Sequence, residues 1–414
     1  MGRMTTTRRS ILGLMGAAPV AAGSVAALAP RAHAASGTGS GHGGVPADLR
    51  PDGALDRFIA ELAERDEFSG SVLVARRGRE VLARSHGSAN RERSVPNGPD
   101  TAFILGSINK IFTAVAIAQL VEQRALRYDD TLGSLLGGFP AGTAERVTVH
   151  HMLTHTSGMG DFHGSAAYRE RSPAWDSAEE VMNGITDVVR ELPLLFDPGA
   201  GQTYSNSAFH VLGAIVQEVA GVPYHDYVRE RVFEAAEMAG AAFLTRTEWR
   251  ADPEVARPYA PGPDGGELVE VIDAHGFIGT PAGGAFATCL DLVRFARALT
   301  AGELVGSAQA ELLLSPKMPL PGGGSGGPGE GGGPGGGDPV VPEPGRAMTF
   351  EGYGTPLTLS GDTWVVIRSG GSAGVSTSLQ VFPPAAEWAV VVLSNYGERA
   401  GAPIADLARQ ILTS

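Results

Sequence analysis

A serine, Ser107, stands three residues before a lysine, Lys110, where Gly106-Ser107-Ile108-Asn109-Lys110 runs into the apolar stretch Ile111 to Ile117. Residues three apart share a helix face, so the hydroxyl and the amine can meet. A serine hydroxyl is a weak nucleophile until a base takes its proton. At a helix start it also lies near inward-pointing N–H groups, which suit a developing negative charge. Of the 32 basic side chains only two, Lys110 and Lys317, are lysines; the rest are arginines. Arginine does not deprotonate in proteins, whereas a buried lysine can. Ser-x-x-Lys is common by itself, so its weight here comes from the scarcity of lysine and from a second group of residues.

That second group is Pro198-Gly199-Ala200-Gly201-Gln202-Thr203-Tyr204-Ser205-Asn206-Ser207. A Gly- and Pro-containing loop presents Tyr204 and Asn206 and then enters the apolar run Phe209 to Val219. A phenol beside a cationic amine can carry protons, and a carboxamide can hold an amide or ester carbonyl. Two other motifs carry less. His151 and His155 are four apart, but Met152 stands where a zinc helix of the His-Glu-x-x-His kind needs glutamate; no metal is expected. The loop Gly279-Thr280-Pro281-Ala282-Gly283-Gly284-Ala285 could cradle an anion, yet no Gly-Lys-Ser/Thr follows it. No cofactor is expected.

The elements that must position these residues follow from pattern. Leu55, Phe58, Ile59 and Leu62 mark an amphipathic helix. Gly70 to Ala75 and Glu80 to Ala83 read as strands joined by a turn at Arg76-Arg77-Gly78-Arg79, and Pro96 to Pro99 as a loop. About 126–314 is mostly helical with long loops. Trp364 to Ile367, Ser378 to Phe382 and Trp388 to Leu393 read as strands, and 400–412 as a closing helix. The single cysteine, Cys289, at a helix start, is expected to be a buried small hydrophobe and excludes an internal disulfide.

Residues 1–34 read as a twin-arginine-type signal peptide, with Arg8-Arg9 before an apolar stretch that Pro19 interrupts and an Ala32-His33-Ala34 cleavage pattern. Removing them takes Arg3, Arg8, Arg9 and Arg31 away and no acid. A chain already at −13 becomes more acidic, which argues against a nucleic-acid partner. The modestly apolar stretch argues against a stable membrane anchor. The protein is therefore expected to be secreted or in the cell envelope. Residues 35–50 read as a flexible linker, 51–414 as the catalytic domain, and the Gly-rich 321–337 as a disordered insert.

Together, Ser107-Ile108-Asn109-Lys110 and Tyr204-Ser205-Asn206 resemble the Ser-x-x-Lys and Tyr-x-Asn motifs of the serine β-lactamase superfamily. The branch is that of class C β-lactamases, DD-carboxypeptidases, D-aminopeptidases and related esterases. Order and spacing agree from about Phe68 to Asn395, including the segments His151 to Gly158 and Pro281 to Gly284. The third motif departs: Arg368-Ser369-Gly370 stands where the family has Lys-Thr-Gly or His-x-Gly. The arginine keeps a permanent cation, loses a titratable group and offers a fork suited to a carboxylate.

The resemblance implies an α/β fold, an antiparallel sheet flanked by helices plus a mostly helical domain, with the site between them. It implies acyl transfer through Ser107. Lys110 and Tyr204 share the proton work, with the base left open between them. The backbone N–H groups of Ser107 and Gly371 form the oxyanion hole, and Asn206, Arg368, Ser369 and Gly370 contact the substrate. The expected enzyme is a serine hydrolase cleaving an amide, lactam or peptide bond, DD-carboxypeptidase-like or β-lactamase-like. Its substrate would be a small molecule or a peptide such as a peptidoglycan stem peptide. An esterase on the same machinery, for which Arg368 would be dispensable, and a non-catalytic peptidoglycan-binding protein are the alternatives.

Overall fold

The Arg77-Gly78 pair shows how the sequence starts the sheet. Both residues have positive φ, 51° and 73°, which is the two-residue turn whose twist matches that of paired strands. It joins β1 (Gly70–Arg76) to β2 (Arg79–His86), with Arg76 opposite Arg79. This computed structural model describes residues 44–262, 264–320, 348–383, 387–397 and 400–414. The expected signal peptide, most of the linker and the Gly-rich insert lie outside the described residues.

Six further strands complete the main sheet: β3 (Met318–Pro319), β4 (Met348–Glu351), β5 (Leu357–Ser360), β6 (Thr363–Ser372), β7 (Val375–Phe382) and β8 (Trp388–Ser394). The order is β2-β1-β8-β7-β6-β5-β4-β3, antiparallel throughout. The N-terminal hairpin thus joins a C-terminal strand, Val72 opposite Val392. The sheet closes only once both chain ends meet.

Alternation along the central strands divides two cores. Val72, Val74, Val390 and Val392 face one cluster with Leu55, Ile59 and Leu62 of α1 (Ala54–Glu64) and Ile404, Ala405 and Ala408 of the closing helix Ala402–Thr413. Leu73, Ala75, Val391 and Leu393 face the other, larger cluster. Burying each of the α1 leucines and Ile59 contributes about 1.5–3 kcal/mol. The chain enters this layer earlier than the sequence suggests. Ala47–Leu49 form a helical turn and Leu49 is fully buried, so the end of the expected 35–50 linker is packed structure.

The larger core surrounds α2 (Asn109–Glu122), which follows a 3-10 turn at Gly106–Ile108. Every residue from Asn109 to Leu120 is buried. A helix covered on all sides runs through the interior, and it carries Lys110 there. α3 (Ala178–Glu191) packs on α4 (Asn206–Ala220), which together with α5 (Cys289–Thr300) packs against α2. Thr288 and Asp291 cap α5 reciprocally. Cys289 is buried beneath that cap, and burial pushes its thiol well above the ordinary range. Sheet and helices belong to one compact unit, Val45–Ser414, and no helix among the described residues is long and apolar enough to cross a membrane.

Candidate active site

The segment before the serine is held on both sides. Phe103 and Ile104 pair with Ala287 and Phe286, Leu105 N–H donates to Ala285 O at 2.8 Å, and Thr377 Oγ1 donates to Leu105 O at 2.8 Å. The turn at Gly106–Ile108 then lies against β6. A Cβ on Gly370 would come within 2.0 Å of Leu105 O and 2.9 Å of Ser107 N, so only glycine permits this approach. Gly371 is equally near: its backbone N lies 3.0 Å from where a Cβ on Gly106 would sit. The two N–H groups assigned to the oxyanion hole therefore belong to neighbouring segments.

The start of α2 is fastened by three consecutive carbonyls. Asn109 Nδ2 donates to Thr280 O (2.8 Å), Thr113 Oγ1 to Pro281 O (2.7 Å) and Lys110 Nζ to Ala282 O (2.6 Å). The Gly279–Ala285 loop, considered above as an anion cradle, here presents acceptors to the helix. Tyr204 and Asn206 arrive from α4, whose N-cap is Ser205; its Oγ accepts from Ala208 N–H at 2.9 Å. His155 supports this junction. Its Nδ1 accepts from Ser205 N–H at 3.1 Å and its carbonyl from Thr203 N–H at 3.0 Å. His151 Nδ1 accepts from Thr148 N–H as part of a helix cap. Both histidines thus have structural work in the junction.

Ser107 Oγ lies 2.6 Å from Tyr204 OH and 3.3 Å from Lys110 Nζ. Lys110 also donates to Asn206 Oδ1 at 2.6 Å and is fully buried. Burial, aided by Arg368, holds its pKa well below the usual lysine range; Asp161 and Glu351 oppose this only partly. Burial raises the Tyr204 pKa, against the pull of Arg368 and the Ser107 hydrogen bond. Both shifts favour the neutral forms. A neutral amine donates twice and has one lone pair. The two 2.6 Å contacts use the donors, leaving the lone pair for Ser107.

Arg368 turns its guanidinium toward the nucleophile. Its Nε donates to Ser107 O at 2.9 Å and its Nη2 to Tyr204 OH at 3.1 Å, and the residue is 4% exposed. The fork expected to meet a substrate carboxylate is turned onto the serine turn and the tyrosine. Ser369 and Gly370 occupy the same strand, opposite Ser378 and Thr377.

Two carboxyl groups near the site were missed by sequence reasoning. Asp161 Oδ2 accepts from Asn206 Nδ2 at 2.5 Å, which fixes the carboxamide with Oδ1 toward Lys110. One Nδ2 proton and one Oδ1 lone pair then remain for a substrate. Burial alone would raise the Asp161 pKa, but bonds from His163 and Asn206 bring it below the ordinary value. Asp161 follows the flagged His151–Gly158 segment by three residues, which is the only sequence signal it offers. Glu351 is 3% exposed. Thr349 and Glu351 occupy the two buried positions of β4, the reverse of what Met348 and Phe350 would suggest from alternation.

With this geometry, the comparisons decide the family. The model of the Beta-lactamase family matches residues 55–413. The chain belongs to the beta-lactamase family. Members of this family are serine hydrolases acting on amide or ester bonds. Penicillin-binding protein 4* of Bacillus subtilis (strain 168) is 31% identical over 280 residues, covering 63% of this chain and 59% of its own length. Esterase EstB of Burkholderia gladioli is 34% identical over 215 residues, covering 50% of this chain and 53% of its own. The chain thus spans under two thirds of the length of these relatives. The solved structure of a penicillin-binding protein from Bacillus halodurans is 26% identical with a TM-score of 0.70, over 86% of this chain and 98% of that one. The α/β architecture expected from the motifs is the family's fold.

Proposed function

We propose that this chain is an exported serine hydrolase that cleaves an amide or ester carbonyl through an acyl-enzyme on Ser107. One observation carries the reading: Ser107 Oγ sits between Tyr204 OH at 2.6 Å and the buried Lys110 amine at 3.3 Å. Lys110 Nζ takes the hydroxyl proton as Oγ attacks the carbonyl carbon. Tyr204, held by Arg368, donates toward Oγ and carries the proton on to the leaving group. The carbonyl oxygen becomes an anion between the N–H groups of Ser107 and Gly371, and losing one such donor typically costs ~10²–10³ in turnover. Asn206 orients the substrate through its remaining donor and acceptor. Water then attacks the acyl-enzyme with the same base.

For the acyl donor, the penicillin-binding relatives support a peptide or lactam, cleaved in the manner of a DD-carboxypeptidase or a β-lactamase. A second reading, an esterase, is favoured by the inward-turned Arg368 fork and by the likeness to Esterase EstB. The twin-arginine pattern supports export to the envelope or beyond.

Intact-protein mass spectrometry tests this. Wild type and Ser107→Ala are each exposed to a penicillin, a D-Ala-D-Ala peptide and an activated short ester, with product release followed in parallel. A Ser107-dependent adduct or turnover is expected, and the reactive substrate selects the acyl donor. Turnover that survives Ser107→Ala would overturn the Ser107 acyl-enzyme, and neither adduct nor turnover with a wide panel would leave a binding protein.

A further inference from the structure

Glu351 is a strongly buried acid that the mechanism above does not use and that, unlike the capping Asp291, keeps an unfilled acceptor. It ends β4, its side chain is buried, and the charges of Arg368 and Lys110 act on it. Glu351 Oε1 has no hydrogen-bond partner among the described residues. The loop that follows is pressed onto α2. Gly354 N–H donates to Leu153 O at 3.1 Å, Thr355 Oγ1 donates to Leu313 O at 2.8 Å, and a Cβ on Gly354 would come within 3.3 Å of Lys110 O. The backbone of Glu351 is fixed from the other side, its carbonyl accepting from Lys317 N–H at 2.9 Å. The segment carrying Glu351 is thus held between a neighbouring strand and the turn of helix that carries Lys110.

A buried carboxyl with an unfilled acceptor is costly as an anion unless a cation balances it. Lys110 from α2 and Arg368 from β6 are the charges that act on it. Asp161, Tyr204 and His155 also interact with Lys110 or Arg368, and Tyr204 with Glu351 as well. Lys317, the adjacent cation on the strand side, turns its ammonium to Leu312 O, Ser315 O and Ser315 Oγ. Arg368 is permanently charged, so the variable charges are those of Glu351 and Lys110.

We propose that Glu351 is a positioning residue for Lys110: a buried carboxyl whose charge sets the pH at which Lys110 is neutral and able to act as base. This rests on the acyl-enzyme reading. The proton balance is simple. Between its extremes, the pair holds one proton, either on Lys110 as ammonium beside a Glu351 carboxylate or on Glu351 as the acid beside a neutral amine. Only the second arrangement is competent. Burial raises the Glu351 carboxyl to about 7, against the pull of Arg368 and Lys110, so the acid form is present near neutrality.

The sign of the test follows. A Glu351 carboxylate stabilises the Lys110 ammonium and moves the acid limb of activity to higher pH. Because the pair titrates in two coupled steps, the wild-type limb is broad. Glu351→Gln removes the attraction and keeps the shape. Its acid limb in kcat/KM should become a single step displaced to lower pH by roughly one unit. Glu351→Asp should keep the broad limb.

The profiles are measured with an activated short ester, alongside Ser107→Ala and thermal unfolding of each variant. A Glu351→Gln profile that superimposes on the wild type, or falls equally at every pH, overturns the proposal and leaves the Ser107 reading intact. Activity in Ser107→Ala overturns both. If Glu351→Gln does not fold, the pH-difference infrared spectrum of the wild type decides. A protonated-carboxyl band titrating near neutrality is expected, and its absence overturns the proposal.

Discussion

Lys110 and Lys317 are the only lysines in the chain, and their surroundings differ in what they ask of an amine. Burial lowers the pKa of both. Lys110 is fully buried and meets a hydroxyl, a carboxamide and one carbonyl, with Arg368, Asp161 and Glu351 acting on its charge. Lys317 is half-buried. It donates to Leu312 O at 2.7 Å and Ser315 O at 3.0 Å within its own loop and lies 5.0 Å from the centre of the Tyr353 ring. The hydroxyl beside Lys317, Ser315 Oγ, donates to the Leu312 carbonyl at 3.0 Å and meets no phenol or second proton carrier among its hydrogen bonds to the described residues. Scarcity of lysine thus selected two amines, and only Lys110 lies beside a hydroxyl that a phenol also meets, the setting that the proposed proton transfer needs. The other clamps a loop.

The largest effect should separate the two outright. Lys110→Arg keeps a cation but removes the base, and should lower kcat/KM by about 10²–10⁴. Lys317→Arg should stay within roughly threefold of the wild type, since it touches nothing in the site. Steady-state kinetics on one ester checks both, and equal losses would break the comparison. Next in size is Arg368→Ala. It removes two hydrogen bonds from a charged donor to the turn and the tyrosine, which corresponds to about 10–100-fold in turnover. The loss should be the same for substrates with and without a free carboxylate. A loss confined to the carboxylates would show the fork turning outward when substrate binds.

A smaller loss, roughly tenfold, is expected for Asp161→Leu. The variant removes the acceptor that aims Asn206 Nδ2 away from Lys110, and a site constellation loses rate when its supporting group is removed. The loss should fall mainly on kcat. Asp161→Asn keeps an acceptor oxygen and should recover most of it. Failure of Asn to recover more than Leu would mean that charge, not aim, is what Asp161 supplies.

How much of this was legible beforehand divides along the same physical line. Ser107 with Lys110, and Tyr204 with Asn206, could be seen because each pair is joined by local geometry, a helix turn or a helix start. The hairpin at Arg77-Gly78 and the helix start at Cys289 were local too. Asp161 and Glu351 were not seen. Asp161 reaches Asn206 across 45 positions of sequence, and Glu351 reaches the site only because β4 joins a sheet assembled from both chain ends. Nothing near either residue marks it as more than a polar side chain. Arg368 was placed correctly on its strand, but its inward direction depends on how close Gly370 lets β6 approach the serine turn. The packed Leu49 was hidden by the small and polar residues before it.

The smallest effect returns to Lys317. Because burial lowers its pKa, the unfolded chain binds more protons than the folded one between that lowered value and the ordinary 10.5. Stability contributed by this residue should therefore rise with pH across the window. Lys317→Gln removes the titration and should flatten that component. The difference between wild-type and variant unfolding free energies should drift by at most about 1 kcal/mol, since a half-buried ammonium is largely screened. Denaturant midpoints at several alkaline pH values measure it. A drift of the opposite sign would mean that the clamp is strongest when charged, so that the three oxygens around Lys317 outweigh its burial.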